Sequence, residues 1–171
     1  ARIVVPVNTP NVKVDGIRKW GGALVLFGDC YDEAEAKAKE LAMQDGCAYI
    51  SPYDDKFIIT GHGTAGLEIA ESLPEVDVIV VPVGGGGLIS GISIAAKGVK
   101  PNVEIVGVQS EASPVMYESL KAGKIVAAQK AETIAEGLSG GIEKGSLTFE
   151  IARQCIDRML LVRESTIRRA V

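Results

Sequence analysis

Cysteine, histidine, aromatic side chains and basic charge are all scarce in this sequence, and most of these shortages remove a class of function. The three cysteines, Cys30, Cys47 and Cys155, are scattered, with no C-x-x-C pair. That pattern argues against a disulfide framework and a zinc site, and it suits a reducing cytoplasm. His62 is the single histidine, and no nucleophile motif or acidic partner pattern accompanies it, so it is a weak candidate for a general base. Lysine and arginine number 18 against 22 acidic residues, a net charge of -4 with no basic patch, which speaks against a nucleic-acid partner. No apolar run reaches the length of a membrane span, and no signal-peptide pattern opens the chain, so no membrane partner is expected. Aromatic residues make up 5% of the chain. What is present, 47% hydrophobic and 23% charged residues with abundant Ala, Val, Ile and Gly, is the composition of a soluble α/β protein. At 171 residues the chain can bury a full core, as one domain or two small lobes.

The stretch that organises the rest is Val78 to Gly91. Val78-Ile79-Val80-Val81 reads as a strand buried on both faces, and Gly84-Gly85-Gly86-Gly87 follows before a helix begins at Leu88. The first N–H groups of a helix have no partner within it and sit at the positive end of its dipole, so such a turn suits an anion, above all a phosphate. Four glycines let the backbone come close to that anion and adopt dihedrals closed to other residues. An ordinary tight turn would need only one or two.

Around this stretch the chain alternates strand and helix, which implies parallel strands joined by right-handed crossovers. Residues 3–5, 23–27 and 48–50 are predicted strands. The helix after the first is expected to be capped by Thr9 with Pro10 at its first position. The helix after the second is expected to be capped by Asp29 or Asp32, to run through Met43 and to carry a stripe of Ala34, Ala38, Leu41 and Ala42. Residues 1–51 are thus expected to belong to a small β-α-β lobe and 52–171 to a large one, with Ser51-Pro52-Tyr53-Asp54-Asp55 as the turn between them. Asp54 and Asp55 are adjacent carboxylates whose expected role is to cap the next helix. That helix is predicted to open at Gly61-His62-Gly63-Thr64. Further strands are expected at 103–108 and 159–162, helices at 113–122 and 147–158, and a second glycine-rich loop at 133–141. The first residues already read as a strand and the last as a helix barely begun, so the chain is expected to be an internal piece of a longer protein.

Residue chemistry alone leaves the phosphate-bearing ligand open. Gly85-x-Gly87-x-x-Ser90 approaches the dinucleotide fingerprint, with Glu111 about twenty residues on, but serine stands in place of the third glycine. A Walker A loop is excluded, because no Lys-Ser or Lys-Thr follows the glycines.

The whole chain resembles the fold-type II pyridoxal-phosphate enzymes, in the threonine dehydratase and serine racemase group. The resemblance is carried by Val12-Lys13-Val14, Pro52-Tyr53-Asp54-Asp55, Gly61-His62-Gly63-Thr64-Ala65-Gly66-Leu67-Glu68, Val81 to Gly91, Val106 to Glu111 and Thr133-Ile134-Ala135-Glu136-Gly137. It implies two lobes of parallel sheet with helices on both faces, incomplete in this chain. It implies pyridoxal 5'-phosphate as cofactor, its phosphate held by Gly84, Gly85, Gly86, Gly87 and Leu88, and its ring beside Gly137. It implies a small amino-acid substrate, dehydration of L-threonine or L-serine, racemisation of serine as the alternative, a cytoplasmic location and a homo-oligomer. The lysine that carries the cofactor in this family lies in a segment that would precede Ala1. No catalytic residue is therefore expected in the chain, and the 171 residues alone are expected to be inactive. His62 stands where a glutamine is usual. The cation position of the racemase relatives would match Glu111, but its second acid is replaced by Tyr117, and no metal site is expected.

Overall fold

A computed structural model of the chain describes residues 1–128 and 131–171. The chain divides into two compact units, Ala1–Ile50 and Ser51–Val171.

In the first unit β1 (Arg2–Val5) pairs in parallel with β2 (Ala23–Leu26), Ile3 opposite Leu24 and Val5 opposite Leu26. The crossover is α1 (Asn11–Lys19), and α2 (Tyr31–Asp45) follows β2. Left-handed Gly21 and Gly46 end the two helices. The starts of the helices differ from expectation. Thr9 is not the cap of α1. Pro10 is, with ψ 138°, and its carbonyl accepts the N–H groups of Lys13 and Val14. Neither Asp29 nor Asp32 caps α2. Cys30 stands at the cap without a side-chain bond, while Glu33 reaches back to accept the Asp29 N–H at 2.7 Å. Asp32 lies inside the first turn, where its charge still favours the helix dipole. The strand expected at 48–50 is absent, because that segment has no ladder partner among the described residues. The unit is therefore β-α-β-α. Of the predicted stripe on α2, only Ala34 is fully buried.

The second unit runs α3 (Lys56–Ser72), β3 (Val78–Pro82), α4 (Gly87–Val99), β4 (Glu104–Ser110), α5 (Val115–Ala122), a 3-10 turn (Glu136–Leu138), α6 (Leu147–Cys155), β5 (Arg158–Val162) and α7 (Glu164–Ala170). Its strands form one parallel sheet in the order β3-β4-β5. The core lies on one face of that sheet, where Ile79, Val81 and Ile105 meet Ile89, Ile92 and Ala96 of α4, Met116 of α5 and Phe149 and Ala152 of α6. Burial of β3 on both faces, the expectation from its β-branched run, does not occur. Its other face is open, with Val78 43% and Val80 62% exposed, because β3 is an edge strand and the core packs against its Ile79 and Val81 side.

The helix expected to open at Gly61 starts five residues earlier. Asp55 accepts the N–H groups of Phe57 and Ile58 at 2.8 and 3.1 Å, which fixes the first turn of α3. Residues 61–64 are thereby interior to the helix, and Gly63 among them faces α4, where a Cβ would lie 3.4 Å from the Gly91 carbonyl oxygen. A Cβ on Gly66 would lie 2.7 Å from the Ile92 carbonyl oxygen, and one on Gly91 would run into the Ile59 carbonyl, so α3 and α4 touch backbone to backbone. No helix among the described residues is long and apolar enough to cross a membrane.

Candidate functional site

Parallel strands bring their carboxyl ends to one side of a sheet, and in an open α/β sheet ligands bind there. At that end of β3, Val83 is still held by a bond from its N–H to the Val108 carbonyl, 2.8 Å, and the backbone then leaves through the four glycines into α4. Gly86 is the cap residue, in the left-handed region at φ 92°, which side chains disfavour. No side chain caps the helix. Among the described residues Ser90 is the first of α4 whose N–H finds a carbonyl, that of Gly86 at 3.0 Å. The N–H groups of Gly87, Leu88 and Ile89 are left at the positive end of the dipole, which is the donor set an anion needs. In the same first turn the Ser90 hydroxyl is fully buried without a hydrogen-bond partner.

The bare glycines also serve packing. The space their missing side chains leave is taken by protein. A Cβ on Gly85 would lie 2.5 Å from the Tyr53 ring, and one on Gly87 would lie 2.8 Å from the Tyr53 carbonyl oxygen. On Gly84 it would meet Leu138 Cα at 3.1 Å, and on Gly86 the Met116 methyl at 2.7 Å. Three segments distant in sequence thus close around the loop, and the unpaired N–H groups remain for a ligand.

The two adjacent carboxylates go separate ways. Asp55 caps α3 locally. Asp54 reaches across to α6, where its Oδ1 accepts the Thr148 N–H at 3.1 Å and the Ser146 hydroxyl at 2.9 Å. The Thr148 hydroxyl donates in turn to the Gly85 carbonyl at 2.7 Å. Tyr53, Asp54, Met116, Ser146 and Thr148 all shape the loop, and the sequence reading singled out none of them for it. Asp54 was legible as a capping residue, but a partner more than ninety residues away leaves no local signal.

Gly137 lies in the 3-10 turn whose Leu138 touches Gly84, and a Cβ on Gly137 would meet nothing within 4 Å, so open space adjoins it. The loop carrying it is tied to the sheet through Glu164, at the start of α7, which accepts the Ile134 N–H at 2.9 Å and the Thr133 hydroxyl at 2.8 Å. Those two bonds hold the Glu164 carboxyl below the usual glutamate range against the opposing effect of burial, and Arg168 adds to the lowering. Glu111 stands at the end of β4 with Arg163 at 4.0 Å, and the Tyr117 N–H donates to Gln109. Among the described residues no three His, Cys, Asp or Glu side chains converge as a metal site would require. His62, half-buried on α3, lies against Gly91, where a Cβ would come 2.7 Å from its own. Its observed role is contact between helices.

Unpaired N–H groups at a helix start, an orphaned buried hydroxyl one turn in and open room beside Gly137 fit a phosphate ester joined to a flat ring. Comparison with known proteins agrees. The family described as pyridoxal-phosphate dependent enzyme matches residues 1–171, and the chain belongs to it. It is 41% identical to the L-threonine ammonia-lyase of Thermotoga maritima over 100% of the chain and 42% of that protein. Among solved structures, maize serine racemase superposes with a TM-score of 0.91 at 34% identity, over 99% of this chain and 51% of that one. The processed form of threonine deaminase isoform 2 from Solanum lycopersicum superposes with a TM-score of 0.87 at 40% identity, over 95% and 47%. The chain therefore spans about half the length of these relatives or less. The fold is that of the fold-type II enzymes of this family, and pyridoxal 5'-phosphate is the family's cofactor.

Proposed function

We propose that the intact protein removes water from L-threonine and L-serine, releasing ammonia with 2-oxobutanoate or pyruvate. The observation that carries this reading is the identity to an L-threonine ammonia-lyase, which extends over the whole chain. When bound, pyridoxal phosphate supplies the electron sink for loss of the α-proton and the β-hydroxyl. The chain's own contribution is to hold and orient. We assign the phosphate to the N–H groups of Gly84 to Leu88, where the α4 dipole favours its charge. Gly137 is assigned to the ring, for which its missing side chain leaves room. Tyr53, Leu138 and Met116 close the loop from behind and keep it in one shape. The lysine that carries the cofactor is expected outside the 171 residues.

The likeness to maize serine racemase favours racemisation of serine as a second reading. One assay separates the two. The intact protein with pyridoxal phosphate is given L-threonine and L-serine, and 2-oxoacid and D-serine are measured. Rapid 2-oxobutanoate formation is expected. D-serine as the main product with no 2-oxobutanoate would replace dehydration by racemisation, and neither product would sink both readings. A cytoplasmic location and a homo-oligomer complete the proposal. The free thiols of Cys30, Cys47 and Cys155 suit a reducing compartment. Exposed large apolar side chains such as Trp20 and Phe57 suit burial against further protein.

A further inference from the structure

We propose that Asp54, Ser146 and Thr148 form a clamp that sets the direction of the Gly85–Gly86 peptide and so aims the Gly86 N–H at the phosphate. The inference rests on the reading that the loop holds the phosphate of the cofactor. The Thr148 hydroxyl donates to the Gly85 carbonyl at 2.7 Å. In a trans peptide the C=O and the N–H point in opposite directions, so the Gly86 N–H faces away from Thr148. A peptide between two glycines carries no side chain of its own to oppose rotation by half a turn, so its direction depends on the groups packed and bonded against it. The flipped form would present a carbonyl oxygen where the N–H now stands, an acceptor turned toward an anion. Thr148 thus decides the sign of the dipole that this peptide shows the ligand.

The clamp is itself held. Thr148 and Ser146 are almost wholly buried, and their hydroxyl oxygens lie 2.7 Å apart. Two hydroxyl protons serve three contacts. Thr148 spends its proton on Gly85, so Ser146 is the donor between the two, sharing its proton with Asp54 Oδ1. The same carboxylate oxygen accepts the Thr148 N–H, and the Asp54 N–H is bonded to Ser51 Oγ at 3.0 Å. A carboxylate at one end therefore orients a hydroxyl, which orients a second hydroxyl, which orients the peptide. Thr148 and Asp54 are positioning residues, acting through the loop and not on the substrate.

The test uses the intact protein stripped of cofactor and titrated with pyridoxal 5'-phosphate and with pyridoxal, which lacks the phosphate. Thr148→Val keeps the volume and removes the hydroxyl. It is expected to weaken the phosphate ester about tenfold, the worth of one hydrogen bond to a charged group. Pyridoxal affinity is expected to stay near the wild-type value, and Thr148→Ser to restore the phosphate ester. The 31P resonance of the bound ester should move in Thr148→Val and return in Thr148→Ser. No loss in Thr148→Val, or an equal loss for both ligands, overturns the clamp. A wild-type protein with no preference for the phosphate ester overturns the underlying reading of the loop instead. If Thr148→Val does not fold, Asp54→Asn carries the test. Its loss should be smaller but again confined to the phosphate ester, and equal changes for both ligands would overturn the proposal.

Discussion

The two units bury their apolar residues very differently. Among the described residues of Ala1–Ile50, Val14 and Ala34 are the only hydrophobic side chains fully buried, whereas Ser51–Val171 holds one continuous cluster from Ile79 to Ala152. The cause lies in the sheets. A two-stranded sheet is all edge, and each of its strands pairs on one side only. The three-stranded sheet has an interior strand, β4, whose Ile105 and Val106 are 0% and 2% exposed. Fully burying such a side chain contributes roughly 1.5–3 kcal/mol. The glycine loop grows out of the densely packed unit, and a ligand site gains from rigid support of this kind.

The sharpest way to break this comparison is to cut the same kind of side chain from both units. Ile105→Ala should cost about 2–5 kcal/mol, since it removes atoms from a filled core. Leu24→Ala in β2, only half-buried, should cost about 1 kcal/mol. Denaturant unfolding of the intact protein, with hydrogen exchange resolved by segment, measures both. Equal costs would show that the first unit is as well packed as the second.

Glycine offers the next contrast. Gly91→Ala would push a methyl group into the Ile59 carbonyl and should destabilise the α3–α4 contact by about 1–3 kcal/mol. Gly16→Ala, in α1 with nothing within 4 Å of the new Cβ, should stabilise by about 0.5–1 kcal/mol. Opposite signs in melting temperature are the expected result. A neutral Gly91→Ala would mean that the two helices are free to shift apart.

The smallest effect is electrostatic. Burial raises the Asp157 carboxyl, but the Ile105 N–H at 2.7 Å and Lys97 at 2.8 Å outweigh it and leave the carboxyl below the usual aspartate range. A carboxyl lowered in the folded state adds stability that is fully present above its unfolded value and is lost as the pH falls through the folded one. Asp157→Asn should therefore be less stable than the parent at neutral pH, by an amount reduced by the side chain's exposure to solvent. The gap should close on the acid side of the ordinary aspartate value. A gap that persists unchanged in acid would show that the charge contributes nothing.

Much of this architecture was legible in the residues. The β-branched runs, the glycines after helices and the alternation of elements located four of the five strands closely, and β5 to within a residue. The errors fell at helix starts. Thr9, Asp29 and Asp32 each looked like a cap, yet Pro10, Glu33 and the Cys30 backbone occupy those places. A cap is a choice among neighbours a few residues apart, and side-chain chemistry alone does not rank them. The strand expected at 48–50 failed for another reason, since a strand exists only where a partner pairs with it. Gly61 and Gly63 looked like a helix start because local propensity cannot show that Asp55 caps the helix earlier or that α4 needs Gly63 small.

By itself the sequence determined the order of the elements, the parallel pairing that their alternation implies, the position of the glycine loop and the family to which the chain belongs. These depend on short-range pattern, where neighbouring residues carry all the information. Tertiary structure alone decided what the loop rests against. It set Tyr53 over Gly85, sent Asp54 to α6 while Asp55 stayed with α3, and joined Thr148 to the Gly85 carbonyl. These contacts bring together groups up to about ninety residues apart, and only the packed chain places a hydroxyl within bonding distance of a carbonyl so far along it.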